Sequence, residues 1–287
     1  MLAKLVRLAR PRDWAKAVFI LLPVPFALRA GEGRLDPLVL ALGIAAFCLT
    51  SSGVYALNDV RDAPDDRTHP TKRARPVASG EVSARAAIAW GVALLVAGLS
   101  LGLATGRAAA VALLLAYLAI NAAYTLGAKG IPLLDVFLLA SGFLLRVAFG
   151  CALVGAPPSS WLLLCTAWIA LFLGFGKRRA DLTCGAAAAR RSQRLGYTGG
   201  FLDHAMGIAA SLAMLSYALY GHEAGAFVAG RELAGLPFVA FGFLHVLRIA
   251  HLDELRDAPV ELAWRSRILQ LCGAGWVVAT AWSLGLF

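Results

Sequence analysis

Residues 36–76 read DPLVLALGIAAFCLTSSGVYALNDVRDAPDDRTHPTKRARP, a long apolar run followed by an acidic and then a basic cluster. The apolar part is long enough to cross a bilayer as a helix, which takes about 20 residues. Positions 59–66 hold four of the chain's 17 acidic residues. Carboxylates are hard oxygen ligands for Mg²⁺, and the cations that follow can bind phosphate charge that a metal leaves uncompensated. This order of residues predicts diphosphate chemistry at a membrane surface.

The composition places the rest of the chain in a membrane as well. The 287 residues are 60% hydrophobic and 15% charged, whereas soluble domains contain about 25% charged residues. We expect an all-α integral membrane protein with about nine transmembrane helices and a single domain over residues 1–287. The apolar runs cover residues 14–30, 36–57, 84–105, 107–126, 131–154, 158–176, 201–222, 226–247 and 267–286.

Lys and Arg are distributed asymmetrically between the two sets of loops. If the N-terminus lies inside, most of the 27 Lys and Arg residues fall in the inner loops, and the outer loops hold Arg29, Arg34, Arg107 and Arg231. Because cytoplasmic loops retain Lys and Arg, we expect the N-terminus and the acidic motif on the cytoplasmic side of the inner (plasma) membrane. The net charge of +10 then reflects topology, and the sequence offers no groove for nucleic acid.

Asp59, Asp62 and Asp66 are spaced three and four residues apart, which places them on one face of a helix within reach of one or two metal ions. Asn58 adds a neutral amide oxygen. Pro64 disfavours helical geometry just before it, so Asp66 is either displaced from this face or turned inward by a kink. The alternative for the whole motif is a solvated helix terminus.

Lys72, Arg73 and Arg75 follow at a distance that lets a loop fold back over the carboxylates. The alternative for these cations is a plain topology signal. For Arg75, the neighbouring Pro76 and Gly80 favour a function, because they give the loop a defined shape. His69 lies in the same loop and is interpreted as a loop support or a phosphate contact.

Two further groups of polar residues occur near the ends of apolar runs. Tyr124, Lys129 and Asp135 lie at a junction of two spans, and Arg146 lies within the second span. An ionisable residue at membrane depth usually faces a polar cavity, so Arg146 is a functional candidate, with an ion pair to Asp135 as the alternative. Lys177, Arg178 and Asp181 follow the sixth span, where a positive flank is expected in any case. Tyr197, Arg248, Glu261 and Arg267 are weaker candidates.

The pattern NDxxDxxxD at 58–66, with RPxxSG at 75–80, resembles the UbiA superfamily of intramembrane transferases. The finer details resemble its polyprenyl-phosphate phosphoribosyltransferase branch. These details are the stretch HPTKRARP at 69–76, Lys129 with Asp135 and Arg146, GKR at 176–178 with Asp181, and RILQ at 267–270. Asp181 stands where the branch has Glu, and Ser266 where it has Asp.

The resemblance implies a UbiA-type bundle with a cytoplasm-facing polar cavity, and a Mg²⁺-dependent enzyme. Such an enzyme transfers the 5-phosphoribosyl group of 5-phosphoribosyl 1-diphosphate (PRPP) to a polyprenyl (decaprenyl) phosphate and releases diphosphate. Its product leads to the lipid-linked arabinose donor of cell-wall polysaccharides. A homo-oligomer is compatible with the sequence. The implied metal ligands are Asp59, Asp62 and Asp66, which act in catalysis with Lys177. The implied substrate-binding residues are Asn58, His69, Lys72, Arg73, Arg75, Tyr124, Lys129, Asp135, Arg146, Arg178 and Asp181.

Two alternatives remain open. A UbiA-type enzyme that moves a prenyl group from a prenyl diphosphate to an aromatic or lipid acceptor carries a second acidic motif of DxxxD type. In this chain, residues 177–200 contain Asp181 as their only acid, among six Lys and Arg residues. A transporter would place ionisable residues in several spans, and only Arg146 fits that pattern.

Overall fold

The computed structural model describes residues 2–68, 72–183, 189, 192–223 and 225–287, and the regular elements in these ranges are all helical. The predicted all-α fold class is therefore confirmed. Short 3₁₀ turns span Pro11–Ala17, Lys72–Ala74 and Ala128–Gly130. The α-helices in chain order are α1 Leu2–Ala9, α2 Val18–Leu21, α3 Val24–Arg29, α4 Pro37–Arg67, α5 Ala84–Ala104, α6 Ala108–Leu126, α7 Leu134–Val154, α8 Ser160–Thr183, α9 Gly199–Glu223, α10 Leu236–His251, α11 Pro259–Arg265 and α12 Arg267–Ser283.

Within the described ranges, the six helices α4 to α9 are long and apolar enough to cross a bilayer. Helices α10 and α12 are slightly shorter, with 16 and 17 residues. The remaining predicted span, residues 14–30, is not a continuous helix but a 3₁₀ turn followed by the short α2 and α3. Pro23 and Pro25 account for this break, because proline lacks an N–H donor and disfavours helical geometry before it. The chain is a multi-pass membrane protein.

Helix α4 carries the acidic motif at its C-terminal end. It begins at an N-cap, where the Asp36 carboxylate accepts hydrogen bonds from the backbone N–H groups of Leu38 and Val39 at 2.9 and 3.2 Å. Its 31 residues make it about 46 Å long. The helix continues through Pro64 and ends at Arg67, so the whole motif remains helical.

The tertiary contacts divide the chain into two compact units. The first comprises Met1–Val24, Gly33–Leu126 and Leu145–Ala156. In this unit α4 and α5 approach closely, since a Cβ atom at Gly53 would lie 2.7 Å from Cγ of Leu95 and 2.8 Å from the carbonyl oxygen of Gly91. Small residues permit such backbone contact where no hydrophobic effect drives helices together.

The second unit comprises Pro25–Glu32, Gly127–Leu144 and Pro157–Phe287. Its core is formed where α8 packs along α9, with Phe172, Leu202 and Met206 among the buried side chains. The start of α7 packs on α8, because a Cβ atom at Gly174 would lie 2.7 Å from Cγ1 of Val136. This contact brings the polar residues at the start of α7 to the end of α8.

Candidate active site

The acidic motif on α4 has a buried and an exposed side. Asp59 and Asp66 are buried, Asp62 is half-buried, and Asp65 is exposed. Of the two outcomes considered for Pro64, the structure has Asp66 turned inward, on the same side as Asp59. A solvated helix terminus would leave these carboxylates in water, so the burial of Asp59 and Asp66 disfavours that alternative.

Arg75 contacts both buried carboxylates through one nitrogen atom. Its Nη1 atom donates to Oδ1 of Asp59 at 3.2 Å and to Oδ2 of Asp66 at 2.7 Å. The loop that carries Arg75 therefore folds back over the motif, as the sequence predicts. A second arginine, Arg10, also donates to Oδ1 of Asp59.

Arg10 was not among the predicted site residues. Its backbone adopts the left-handed conformation, with φ of 52°, before the 3₁₀ turn that starts at Pro11. Its guanidinium lies 5.3 Å from the ring centroid of Tyr55, which keeps it beside α4. The contact spans 49 positions of the chain, so no local sequence pattern could reveal it.

The donor set of this cluster fits a divalent cation. Two carboxylate oxygens contact the same arginine nitrogen, so they are close enough together to bind a common positive ion, and Mg²⁺ prefers such hard oxygen ligands. In the part of the chain that the structure describes, no group of three or more His, Cys, Asp or Glu side chains forms a metal-binding cluster. The assignment of Asp59, Asp62 and Asp66 as metal ligands stays a prediction.

The other predicted residues of the first unit lie around α4 and α6. The amide oxygen of Asn58 accepts a hydrogen bond from the Thr125 hydroxyl at 2.7 Å. Tyr124, which precedes Thr125 in α6, is half-buried. Lys72 and Arg73 form the 3₁₀ turn before Arg75, where Lys72 is half-buried and Arg73 exposed. His69 lies outside the described residues.

Arg146 is a buried arginine in the span α7. Only 5% of its surface is exposed, and its guanidinium lies 4.7 Å from the ring centroid of Phe47 and 5.5 Å from that of Tyr117. Two aromatic faces thus stabilise the charge at membrane depth. Asp135, which the sequence offered as an ion-pair partner, contacts Arg178.

A second polar cluster lies at the end of α8 in the second unit. Arg178 is almost fully buried, and its Nε atom donates to Oδ2 of Asp135 at 2.6 Å. Its Nη1 atom donates to Oδ2 of Asp181 at 3.0 Å. Three predicted residues from two helices therefore form one network. The predicted residues Lys177 and Lys129 are exposed and half-buried, respectively.

Tyr197 extends this network and was only a weak candidate in the sequence. Its hydroxyl donates to Oδ1 of Asp135 at 2.6 Å and accepts a hydrogen bond from the Leu133 N–H at 2.7 Å. Burial raises the pKa of the Tyr197 phenol to about 12, and the hydrogen bond to Asp135 contributes to the rise. The phenol therefore stays protonated at neutral pH and remains a donor.

Arg179, directly after Arg178, is also buried and has different partners. Its Nε atom donates to Asp203 at 2.8 Å, and its Nη2 atom donates to Asp253 at 2.5 Å and to the Ala250 carbonyl at 2.6 Å. These contacts tie the end of α8 to α9 and to the end of α10. The run of cations at 177–179 thus has an exposed lysine and two arginines with separate acidic partners.

The sequence of this chain matches the UbiA prenyltransferase family over residues 17–260. The chain belongs to this family. Like the other members, it is a membrane-embedded transferase, so the prediction of an enzyme is confirmed and the transporter alternative is wrong.

Relatives named decaprenyl-phosphate phosphoribosyltransferase match nearly the whole chain. The protein of Corynebacterium glutamicum is 32% identical over 288 residues, which covers 95% of this chain and 84% of the relative. The protein of Mycobacterium tuberculosis is 33% identical over 287 residues, which covers 96% of this chain and 93% of the relative. The predicted resemblance to this branch of the UbiA proteins is confirmed.

A solved structure confirms the fold. A UbiA homolog from Archaeoglobus fulgidus, bound to GPP and Mg²⁺, superposes on this chain with a TM-score of 0.73 over 98% of both chains, at 18% sequence identity. At this identity the similarity shows that the two proteins share the UbiA fold.

Proposed function

We propose that this UbiA protein transfers the 5-phosphoribosyl group of PRPP to a polyprenyl phosphate and releases diphosphate. The observation that carries the proposal is the similarity to two phosphoribosyltransferases over nearly the whole chain. The exposed Lys177 at the end of α8 supports it. A prenyl diphosphate carries only its diphosphate, whereas PRPP carries a diphosphate and a separate 5-phosphate. Lys177 offers a cation in the region where a prenyl-transferring relative carries carboxylates, while Arg178 and Arg179 pair with acids of this chain.

In the proposed reaction the anomeric carbon loses its bond to the diphosphate and gains a bond to an oxygen of the lipid phosphate. Asp59, Asp62 and Asp66 are the residues that would hold Mg²⁺, which supplies a positive charge to stabilise the leaving diphosphate. Arg75 contacts two of these carboxylates, so it is placed to donate to the same diphosphate. Arg10 contacts Asp59 and orients that carboxylate.

Binding of the remaining phosphates is assigned to basic residues. Lys177 and Arg178, with Lys129 and Arg146, are the candidates for the 5-phosphate and the lipid phosphate. Arg178 is oriented for this task by Asp135 and Asp181. Because the lipid phosphate is already ionised at neutral pH, the reaction needs no general base, and catalysis rests on positioning and electrostatics. Asn58, His69, Lys72, Arg73 and Tyr124 complete the proposed set of substrate contacts.

The membrane supplies the acceptor. Large apolar side chains such as Leu103, Ile208 and Leu271 are exposed on the spanning helices, where lipid tails would contact them. We assign the protein to the plasma membrane with its N-terminus and its acidic motif in the cytoplasm, because the inner loops hold most of the Lys and Arg residues. In bacteria that build arabinan, the product would lead to the lipid-linked arabinose donor.

The proposal is tested by incubating the purified protein with PRPP, Mg²⁺ and decaprenyl phosphate, followed by mass spectrometry of the lipid. We expect a phosphoribosyl adduct of the lipid and the release of diphosphate. A parallel reaction with a prenyl diphosphate and an aromatic acceptor tests the alternative of prenyl transfer. Prenylated product in that reaction, with no adduct from PRPP, would overturn the proposal.

Matched variants of the acidic motif test its role. Asp62→Asn removes one proposed ligand, and we expect a loss of activity of about 100-fold or more, because a missing charge at the leaving group acts on the transition state. Asp65→Asn removes the neighbouring exposed carboxylate and is the control, with activity close to that of the wild type. Similar activity in the two variants would contradict the metal assignment.

A further inference from the structure

A chain of hydrogen bonds at the start of α7 joins three segments of the second unit. The Tyr197 hydroxyl contacts both the Leu133 N–H at 2.7 Å and Oδ1 of Asp135 at 2.6 Å. The other carboxylate oxygen of Asp135 accepts from Arg178 at 2.6 Å. One hydroxyl group therefore connects the turn before α7 with the acid that orients Arg178.

The backbone at Leu133 is unusual for a residue with a side chain. Its φ of 67° lies in the left-handed region, which is unfavourable for residues other than glycine because Cβ approaches the following carbonyl oxygen. Leu133 is 44% exposed, so packing of its side chain contributes little to holding this conformation. Its carbonyl accepts hydrogen bonds from Val136 and Phe137 within α7, and its N–H donates to Tyr197. Lys129 lies four residues earlier, in the 3₁₀ turn Ala128–Gly130.

We propose that Tyr197 is a positioning residue for the phosphates of the donor. By holding Leu133 in its left-handed conformation and contacting Asp135, it fixes Lys129 and Arg178 relative to one another. The inference rests on the proposed function, because that function assigns these two cations to phosphate binding. Tyr197 itself does not act on the reacting atoms.

The Tyr197 ring is held independently of its hydroxyl. It stacks on the Phe201 ring, with centroids 6.0 Å apart and planes 16° apart. Tyr197→Phe keeps this stacking and removes only the hydroxyl. In this variant we expect the KM for PRPP to rise about tenfold while kcat stays within about twofold, because the lost contact weakens ground-state and transition-state binding alike.

Tyr220→Phe is the matched control. Tyr220 is another buried tyrosine of the second unit, and it packs in a separate aromatic cluster with Phe26 and Phe227. The KM of Tyr220→Phe for PRPP is expected to equal that of the wild type. A wild-type KM in Tyr197→Phe, or an equal rise in both variants, would overturn the inference.

A rescue experiment separates positioning from general loss of structure. Glycine adopts a positive φ without strain, so Leu133→Gly makes the turn less dependent on the hydroxyl. We expect the effect of Tyr197→Phe on KM to fall from about tenfold to about threefold when it is measured in the Leu133→Gly background. Equal effects in the two backgrounds would contradict the role of Leu133. If Tyr197→Phe alone does not fold, recovery of folded protein in the double variant supports the inference, and failure to recover it counts against it.

Hydrogen exchange gives a measurement that needs no substrate. In Tyr197→Phe, peptides that cover residues 129–137 are expected to exchange faster than in the wild type or in Tyr220→Phe, because the Leu133 N–H loses its acceptor. If the wild type forms no adduct from PRPP but exchange still responds in this way, the proposed function fails and the structural role of Tyr197 stands. If the adduct forms but neither KM nor exchange responds, only the role of Tyr197 is refuted.

Discussion

Removal of the Arg178 side chain is expected to destabilise the protein far more than removal of Arg265. Arg178 is 2% exposed and pairs at 2.6 Å with Asp135, which is fully buried. Arg178→Ala leaves that carboxylate without its arginine, and breaking a buried ion pair from one side costs about 3–5 kcal/mol. Arg265 pairs with Asp257 at 2.9 Å, but its side chain is 74% exposed. Arg265→Ala is therefore expected to cost less than about 1 kcal/mol.

The two variants can be compared by thermal unfolding in detergent at one fixed scan rate. We expect the midpoint to fall by roughly 10 °C for Arg178→Ala and by no more than about 3 °C for Arg265→Ala. The double variant Asp135→Asn with Arg178→Gln should recover much of the loss, because neither member of this pair then carries a charge. Equal midpoints for the two alanine variants, or a double variant less stable than Arg178→Ala, would refute this account of the buried pair.

Three further predictions follow from the described contacts. Arg10→Ala should strengthen Mn²⁺ binding to the substrate-free protein several-fold, because Arg10 competes for the Asp59 carboxylate. Titration followed by electron paramagnetic resonance measures the Mn²⁺ affinity, and an unchanged affinity contradicts this prediction. Gly53→Ala should destabilise the protein by about 1–3 kcal/mol, because the added Cβ atom would meet α5. A Cβ atom at Gly207 would lie in open space, so Gly207→Ala should stabilise α9 by about 0.5–1 kcal/mol. The thermal midpoints of the two variants should therefore shift in opposite directions. Between about pH 10 and 12 the free energy of unfolding should fall, because the unfolded chain releases the Tyr197 proton while the folded protein, in which Tyr197 has a pKa of about 12, retains it. The fall should be smaller in Tyr197→Phe, and an equal fall in that variant would contradict the raised pKa.

The sequence was sufficient for the features that depend on local composition. Apolar runs near 20 residues predicted the spans that became α4 to α9, because a helix needs that length to cross the hydrocarbon. The spacing of Asp59, Asp62 and Asp66 predicted a shared helix face, and the burial of Asp59 and Asp66 agrees with it. The loop at Arg75 was predicted to fold back on this face, and its contacts with both buried carboxylates confirm that.

The sequence was insufficient where a contact depends on distant parts of the chain. Arg10 and Asp59 are 49 positions apart, and Tyr197 and Asp135 are 62 positions apart. No helical or turn periodicity relates such positions, because tertiary packing alone brings them together. The continuous span over residues 14–30 was predicted from hydropathy, which ignores the backbone restriction imposed by Pro23 and Pro25.

The length of α4 determines the depth at which the chemistry can occur. Asp59 lies about 33 Å along the helix axis from Pro37, close to the thickness of the hydrocarbon layer, which is about 30 Å. In a bilayer that α4 enters at Pro37, the carboxylates therefore start where the acyl chains end. In the proposed reaction, a water-soluble sugar phosphate can meet at this plane a lipid whose anionic head stays hydrated and whose tail stays dissolved in the bilayer. Neither reactant has to leave the phase in which it is stable.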